Sequence, residues 1–120
     1  MTENPAPAIS ATNVFAANCP SRRVLDHVTS KWGVLVIVAL AESSLRWGGL
    51  RRRIEGVSEK MLAQTLRTLE ADGFVLREAQ PTIPPRVDYS LTPLGRGLAD
   101  RLIPLVTWVG NNADEIVGAG

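Results

Sequence analysis

Ser58-Glu59-Lys60-Met61-Leu62-Ala63-Gln64-Thr65-Leu66-Arg67-Thr68-Leu69-Glu70-Ala71-Asp72-Gly73 is the stretch that decides how this chain is read. At 3.6 residues per turn, Leu62, Leu66 and Leu69 fall on one apolar stripe with Met61 at its edge. Lys60, Gln64 and Arg67 recur at i, i+4 and i+7 on nearly the opposite face. Ser58 can cap the first turn through its hydroxyl, and Gly73 can end the helix in a left-handed turn. One face is a core anchor; the other is a row of long hydrogen-bond donors. Lysine and arginine suit phosphates and guanine edges, while glutamine pairs bidentately with adenine. The spacing predicts a helix made to enter a major groove, with an ordinary solvated helix face as the alternative.

Composition bounds the rest. The chain has 120 residues, 45% of them hydrophobic, enough for one domain with a real core and hardly two. Its formal net charge is only +1, so a surface for nucleic acid must come from clustering. From Arg46 to Arg67 the cations are Arg46, Arg51, Arg52, Arg53, Lys60 and Arg67, against Glu55 and Glu59, a local excess of four positive charges. Such asymmetry implies one polyanion-facing side. The single cysteine, Cys19, excludes an internal disulfide framework and a multi-Cys zinc site. His27 stands alone, with Asp26 beside it, so neither a metal nor an acid–base role is expected. No nucleophile–base pair or phosphate-cradling glycine loop is visible, so the chain reads as no enzyme and needs no cofactor. Residues 32–41 form an apolar run well short of the roughly 18 residues of a membrane span. The first residues lack the basic flank and apolar centre of a secretion signal. A cytoplasmic protein with no membrane partner is expected.

Along the chain, residues 1–13 read as a mobile N-terminal arm, rich in Ala, Pro, Thr and Asn without periodicity. Cys19-Pro20-Ser21 opens a short helix with Val24, Leu25 and Val28 facing inward. Residues 32–40 make a second, strongly apolar helix, and Leu45-Arg46-Trp47 a short extended piece. Residues 48–54 make a third helix, Leu50 and Ile54 inward and Arg51, Arg52 and Arg53 around its exposed side. Residues 58–72 are the fourth. The period then changes: Val87, Tyr89 and Leu91 alternate with Asp88 and Ser90 as in a half-buried strand, with residues 74–79 as partner. Pro81-Thr82-Ile83-Pro84-Pro85 breaks both helix and ladder and forms the hairpin tip. Thr92 and Pro93 start a long last helix as N-cap and first residue.

The expected fold is mainly α with a small β-hairpin, a winged helix-turn-helix with a terminal dimerisation helix. Its core spans about residues 14–92, the recognition helix about 58–72 and the wing about 74–92. Arg77 and Arg86 make the wing basic. Ser58, Lys60, Gln64 and Arg67 on the recognition helix, Arg51, Arg52 and Arg53 before it, and Arg77 and Arg86 on the wing are the candidate contacts to double-stranded DNA.

At this point the chain resembles the HxlR-type winged-helix regulators, relatives of the MarR group. The matching residues are Cys19-Pro20, Lys31-Trp32, Gly49-Leu50-Arg51-Arg52, Ile54 and the block from Ser58 to Arg67. Leu69-Glu70, Asp72-Gly73, Pro84-Pro85-Arg86-Val87, Tyr89-Ser90-Leu91-Thr92 and Gly95 continue it, so that it covers roughly residues 19–110. It implies a cytoplasmic bacterial transcription regulator that binds operator DNA as a homodimer. Trp47-Gly48-Gly49 departs from the family's usual Phe-Gly-Glu, and Ser30 replaces a glycine. Pro104 inside the last helix should kink it.

Residues 93–120 read as the dimerisation helix independently of the resemblance. Leu98, Leu102, Leu105 and Val109 recur at the spacing of a helix–helix seam, and Trp108 adds apolar surface. The alternative is that this helix folds back on its own domain. Two-fold symmetry would set recognition helices about 34–36 Å apart and call for a pseudo-palindromic operator, where a repressor would sit. Cys19, just before a helix and close to Arg22 and Arg23, is placed to favour its thiolate. Some members of the resembled family use a cysteine here as an oxidant or electrophile sensor; the other reading is a small hydrophobe packed against the partner's last helix. A small-molecule effector in a cleft lined by Trp32, Trp47 or Trp108 is a further option. A winged helix serving only protein–protein assembly is the alternative function, and it would expect an apolar face where Lys60, Gln64 and Arg67 stand.

Overall fold

Local chemistry sets the helix boundaries. In the computed structural model, which describes residues 13–118, the arm expected over residues 1–13 lies outside the described residues apart from Asn13. Helix α1 is Pro20–Val28 and α2 Lys31–Glu42; strand β1 is Leu45–Arg46, followed by α3, Trp47–Arg53, and α4, Glu59–Ala71. Strands β2, Val75–Gln80, and β3, Arg86–Leu91, precede the long helix α5, Pro93–Gly118. Ser30 explains one departure from the resembled family: its hydroxyl accepts from the Gly33 N–H at 3.2 Å and so caps α2. Ser58 caps α4 in the same way, accepting from the Met61 N–H at 3.0 Å. At the other end of α4, Gly73 takes φ +86°, and the Phe74 N–H reaches the Leu69 carbonyl at 2.9 Å. That is the glycine-terminated stop the sequence calls for. Thr92 then joins the ends of two elements: its hydroxyl donates to the Gly73 carbonyl at 2.6 Å and accepts from the Gly95 N–H at 3.0 Å.

The core gathers one face of each element. Ile37 and Leu40 from α2, Leu50 from α3 and Leu62 and Leu69 from α4 are fully buried, with Phe74, Val75, Ala99 and Leu102 around them. Each such leucine or isoleucine contributes on the order of 1.5–3 kcal/mol by leaving water, so α4 is fixed by its apolar stripe. Gly95 allows α5 to start against the hairpin, because a Cβ there would stand 2.0 Å from the Phe74 carbonyl oxygen.

Five expectations need correction. The wing is three-stranded, in the order β1-β3-β2, because Leu45 and Arg46 pair antiparallel with Tyr89 and Asp88. Trp47 therefore opens α3 instead of ending an extended piece. As the central strand, β3 is half-buried along nearly its whole length, which erases the alternation of exposure expected for it. Val24 and Leu25 do not face inward: they are 38% and 46% exposed, and α1 buries no residue fully. Helix α1 meets the core through Val28 instead, and its apolar side faces out. Finally, Leu102 is buried in the chain's own core and so does not lie on an outward seam, while Leu98 is half-buried against that core. Helix α5 runs on through Pro104 as one helical element.

The molecule is long for its size. Its radius of gyration is 16.9 Å, against roughly 13 Å for a compact chain of a hundred residues. In the C-terminal half of α5, Leu105, Trp108, Val109 and Ile116 are exposed. Among the described residues, no single helix is long and apolar enough to cross a membrane.

Candidate nucleic-acid interface

Helix α4 shows the outward row predicted for it. Lys60, Gln64 and Arg67 are exposed while Leu62, Leu66 and Leu69 are buried beneath them. No ion pair among the described residues includes Lys60 or Arg67. Ser58 is exposed at the leading end of the helix, its hydroxyl engaged with the Met61 N–H.

The three consecutive arginines of α3 divide sharply. Arg53 lays its guanidinium fork on Glu42, Nε to Oε1 at 2.9 Å and Nη2 to Oε2 at 2.8 Å. Hydrogen bonding from Arg53 holds the Glu42 carboxyl below the ordinary glutamate value, and Glu42 raises Arg53 in turn. Arg51 donates to Glu59 at 3.0 Å and so ties α3 to the first turn of α4. Arg52 makes no such ion pair among the described residues; it lines the hollow between α3 and the wing together with Arg86. A bidentate pair must be broken before Arg53 can turn to another acceptor, and no such pair among the described residues holds Arg52. On the wing, Arg77 is exposed on β2 opposite Tyr89, and Arg86 begins β3 with a nitrogen 3.6 Å from Asp88.

Two side chains gain a place that the sequence did not reveal. Arg46, counted only as part of the basic cluster, lines the same hollow as Arg52 and Arg86. His27, which looked solitary, sets its Nδ1 2.6 Å from Oδ2 of Asp72, the C-cap of α4. That contact ties α1 to the end of the candidate recognition helix. Lys31 sits 4.3 Å from the centroid of the Trp32 ring, a cation–π contact, and Trp32 packs on the core.

Cys19 is the N-cap residue of α1 and partly exposed. Burial alone would raise its thiol, but the Ser21 and Arg22 N–H groups and the Ser21 hydroxyl favour the thiolate, and the net shift is downward. Among the apolar residues expected at a seam, Leu105, Trp108 and Val109 are 54%, 59% and 46% exposed.

This geometry has close counterparts. The HxlR-like helix-turn-helix family matches residues 27–117. YtfH of Escherichia coli strain K12, described as an uncharacterized HTH-type transcriptional regulator, is 55% identical over 105 residues, covering 88% of this chain and 83% of that protein. The solved structure of the ytfH regulator from Salmonella typhimurium superposes with a TM-score of 0.84 at 51% identity, over 90% of this chain and 96% of that one. The redox regulator HypR in its oxidized form superposes with a TM-score of 0.73 at 35% identity, over 78% of this chain and 97% of that one. With its capped helix α4, its three-stranded wing and this likeness over most of its length, the chain belongs to the HxlR-like helix-turn-helix family, whose relatives are named as transcriptional regulators.

Proposed function

We propose that this protein is a sequence-specific DNA-binding regulator that acts as a homodimer on a pseudo-palindromic operator. The observation that carries this reading is the exposed row Lys60, Gln64 and Arg67 on a helix whose other face is locked into the core. A helix held so rigidly can present long donors to base edges in one register. Gln64 reads a base, Lys60 and Arg67 reach guanine edges or phosphates, and Ser58 lies at the end of α4 that enters the groove. Arg52, Arg77 and Arg86 hold phosphates or the minor groove beside it, while Arg51 and Arg53 serve mainly to join helices through their carboxylate partners. A protein–protein module would be better served by an apolar face on α4, and that face is polar.

The dimer rests on surplus apolar surface. Leu105, Trp108 and Val109 on α5, with Val24 and Leu25 on α1, are exposed in the single chain, and a second copy covers them at the expense of water. Two-fold symmetry then sets the two α4 helices about one DNA turn apart. Bound across a promoter, such a dimer excludes polymerase and represses.

Cys19 gives this regulator an oxidant input. Its thiol is biased toward the thiolate, and the similarity to HypR, named a redox regulator, supports the assignment. The thiolate attacks a peroxide oxygen; the S–O bond forms, the O–O bond breaks, and sulfenate and an alcohol or water result. Selection of binding sites from randomised duplex DNA tests the core of the proposal. Enriched inverted repeats with half-sites about 10–10.5 base pairs apart, or a multiple of it, are expected; enrichment of no common sequence would overturn it.

A further inference from the structure

Four arginines lie on β1 and α3, and two of them already have carboxylate partners: Arg51 on Glu59 and Arg53 on Glu42. The other two, Arg46 and Arg52, line a cleft of about 650 Å³ between the start of α3 and the wing, with Arg86 as a third guanidinium. Among the described residues lining this cleft, which is the hollow already described, and a smaller one beside it that reaches Ser44 and Leu45, the one carboxylate is Asp88, 3.6 Å from Arg86. Three cations against one anion leave a net excess of two positive charges. The cleft is not merely charged, because Trp47 and Tyr89 bring aromatic rings to it and Pro85 an apolar edge. Gly48 also lines the cleft, and a Cβ there would stand 3.3 Å from Nη1 of Arg52.

We infer that this cleft binds a small organic anion, a carboxylate or phosphate carried on an aromatic or apolar body, and that its occupancy competes with DNA. The guanidinium fork matches a carboxylate or phosphate bidentately. The rings of Trp47 and Tyr89 offer flat surfaces for stacking. The volume lies within the roughly 300–1,000 Å³ common for ligand pockets. Arg46 has no part in the DNA contacts proposed above, so the anion site does not depend on them. The competition does rest on that reading, because Arg52 and Arg86 would serve both ligands and an anion seated on them withdraws them from phosphate.

The test titrates the full chain with 2-naphthoate by isothermal calorimetry, with the neutral 2-naphthamide and inorganic phosphate in parallel. One 2-naphthoate per chain is expected, with the amide and phosphate each at least about tenfold weaker, since each lacks half of what the cleft recognises. Arg46→Gln should weaken 2-naphthoate by about tenfold or more while keeping its circular dichroism and thermal melt, and Arg101→Gln on α5 should change nothing. At a 2-naphthoate concentration of about ten times its Kd, DNA affinity should fall about elevenfold for each cleft that must be emptied, about 120-fold for the two clefts of a dimer. No 2-naphthoate binding, equal binding by the amide, or equal binding in Arg46→Gln would overturn the site. Phosphate binding as tightly as 2-naphthoate would reassign the cleft to the DNA backbone. Saturating 2-naphthoate without effect on DNA affinity would overturn the competition. A chain that binds 2-naphthoate but no DNA would leave the cleft intact and defeat the DNA reading instead.

Discussion

Arg52 and Arg53 are adjacent, equally charged and both exposed, yet they should contribute very differently to DNA binding. Arg53 is held on Glu42 by two hydrogen bonds, whereas Arg52 lines the hollow that faces the wing. Replacing either by glutamine removes one cation per protomer and two per dimer. The logarithm of affinity falls with the logarithm of salt at a slope of about 0.9 per neutralised phosphate, so Arg52→Gln should flatten the slope by about 1.8. From about 50 to 200 mM salt, the variant should lose about twelvefold less affinity than the unaltered protein. Arg53→Gln should leave the slope where it was. Fluorescence anisotropy on a labelled operator duplex across that salt range reads both values. An equal flattening in the two variants would refute the division of roles drawn from the Glu42 pair. A flattening of only about 0.9 in Arg52→Gln would mean that one protomer alone makes the contact.

Three further outcomes follow from the same geometry. Gln64→Ala should relax sequence choice at a single operator position by about 1–3 kcal/mol, and equal losses on operator and random DNA would show that Gln64 does not read a base. Trp108→Arg should yield a folded monomer by light scattering and circular dichroism, since the ring is 59% exposed in the single chain; a variant that keeps the dimer mass contradicts the α5 interface. The depressed Glu42 carboxyl contributes stability above the ordinary glutamate range, and that contribution is lost as pH falls through the depressed folded value. In Arg53→Gln the Glu42 titration followed by NMR should move back up to the ordinary value, and an unmoved titration would place its cause elsewhere.

What could be read from the sequence was local. Helix α4 carries its stripe, its Ser58 cap and its Gly73 stop within sixteen consecutive residues, and each has a backbone or side-chain consequence a turn or so away. Thr92 and Pro93 announce α5 for the same reason. The missing parts are contacts between distant residues. Strand β1 is two residues long, and only its pairing with Tyr89 and Asp88, more than forty positions on, makes it a strand. Nothing near His27 points to Asp72, and nothing near Arg53 points to Glu42 on another helix. Periodicity places Leu102 on an apolar face, but it does not say whether that face meets the chain's own core or a second copy. The outward face of α1, with Val24 and Leu25, escaped notice for the same reason: an apolar stripe identifies a buried side without naming what buries it.

The most direct measurement is the affinity of the purified protein for its selected operator and for a scrambled duplex of equal length and composition at physiological salt. The DNA-reading role proposed for α4 predicts binding at least about a thousandfold tighter to the operator, with a twofold stoichiometry of protein to duplex. Equal, weak binding to both duplexes would contradict the account at its centre.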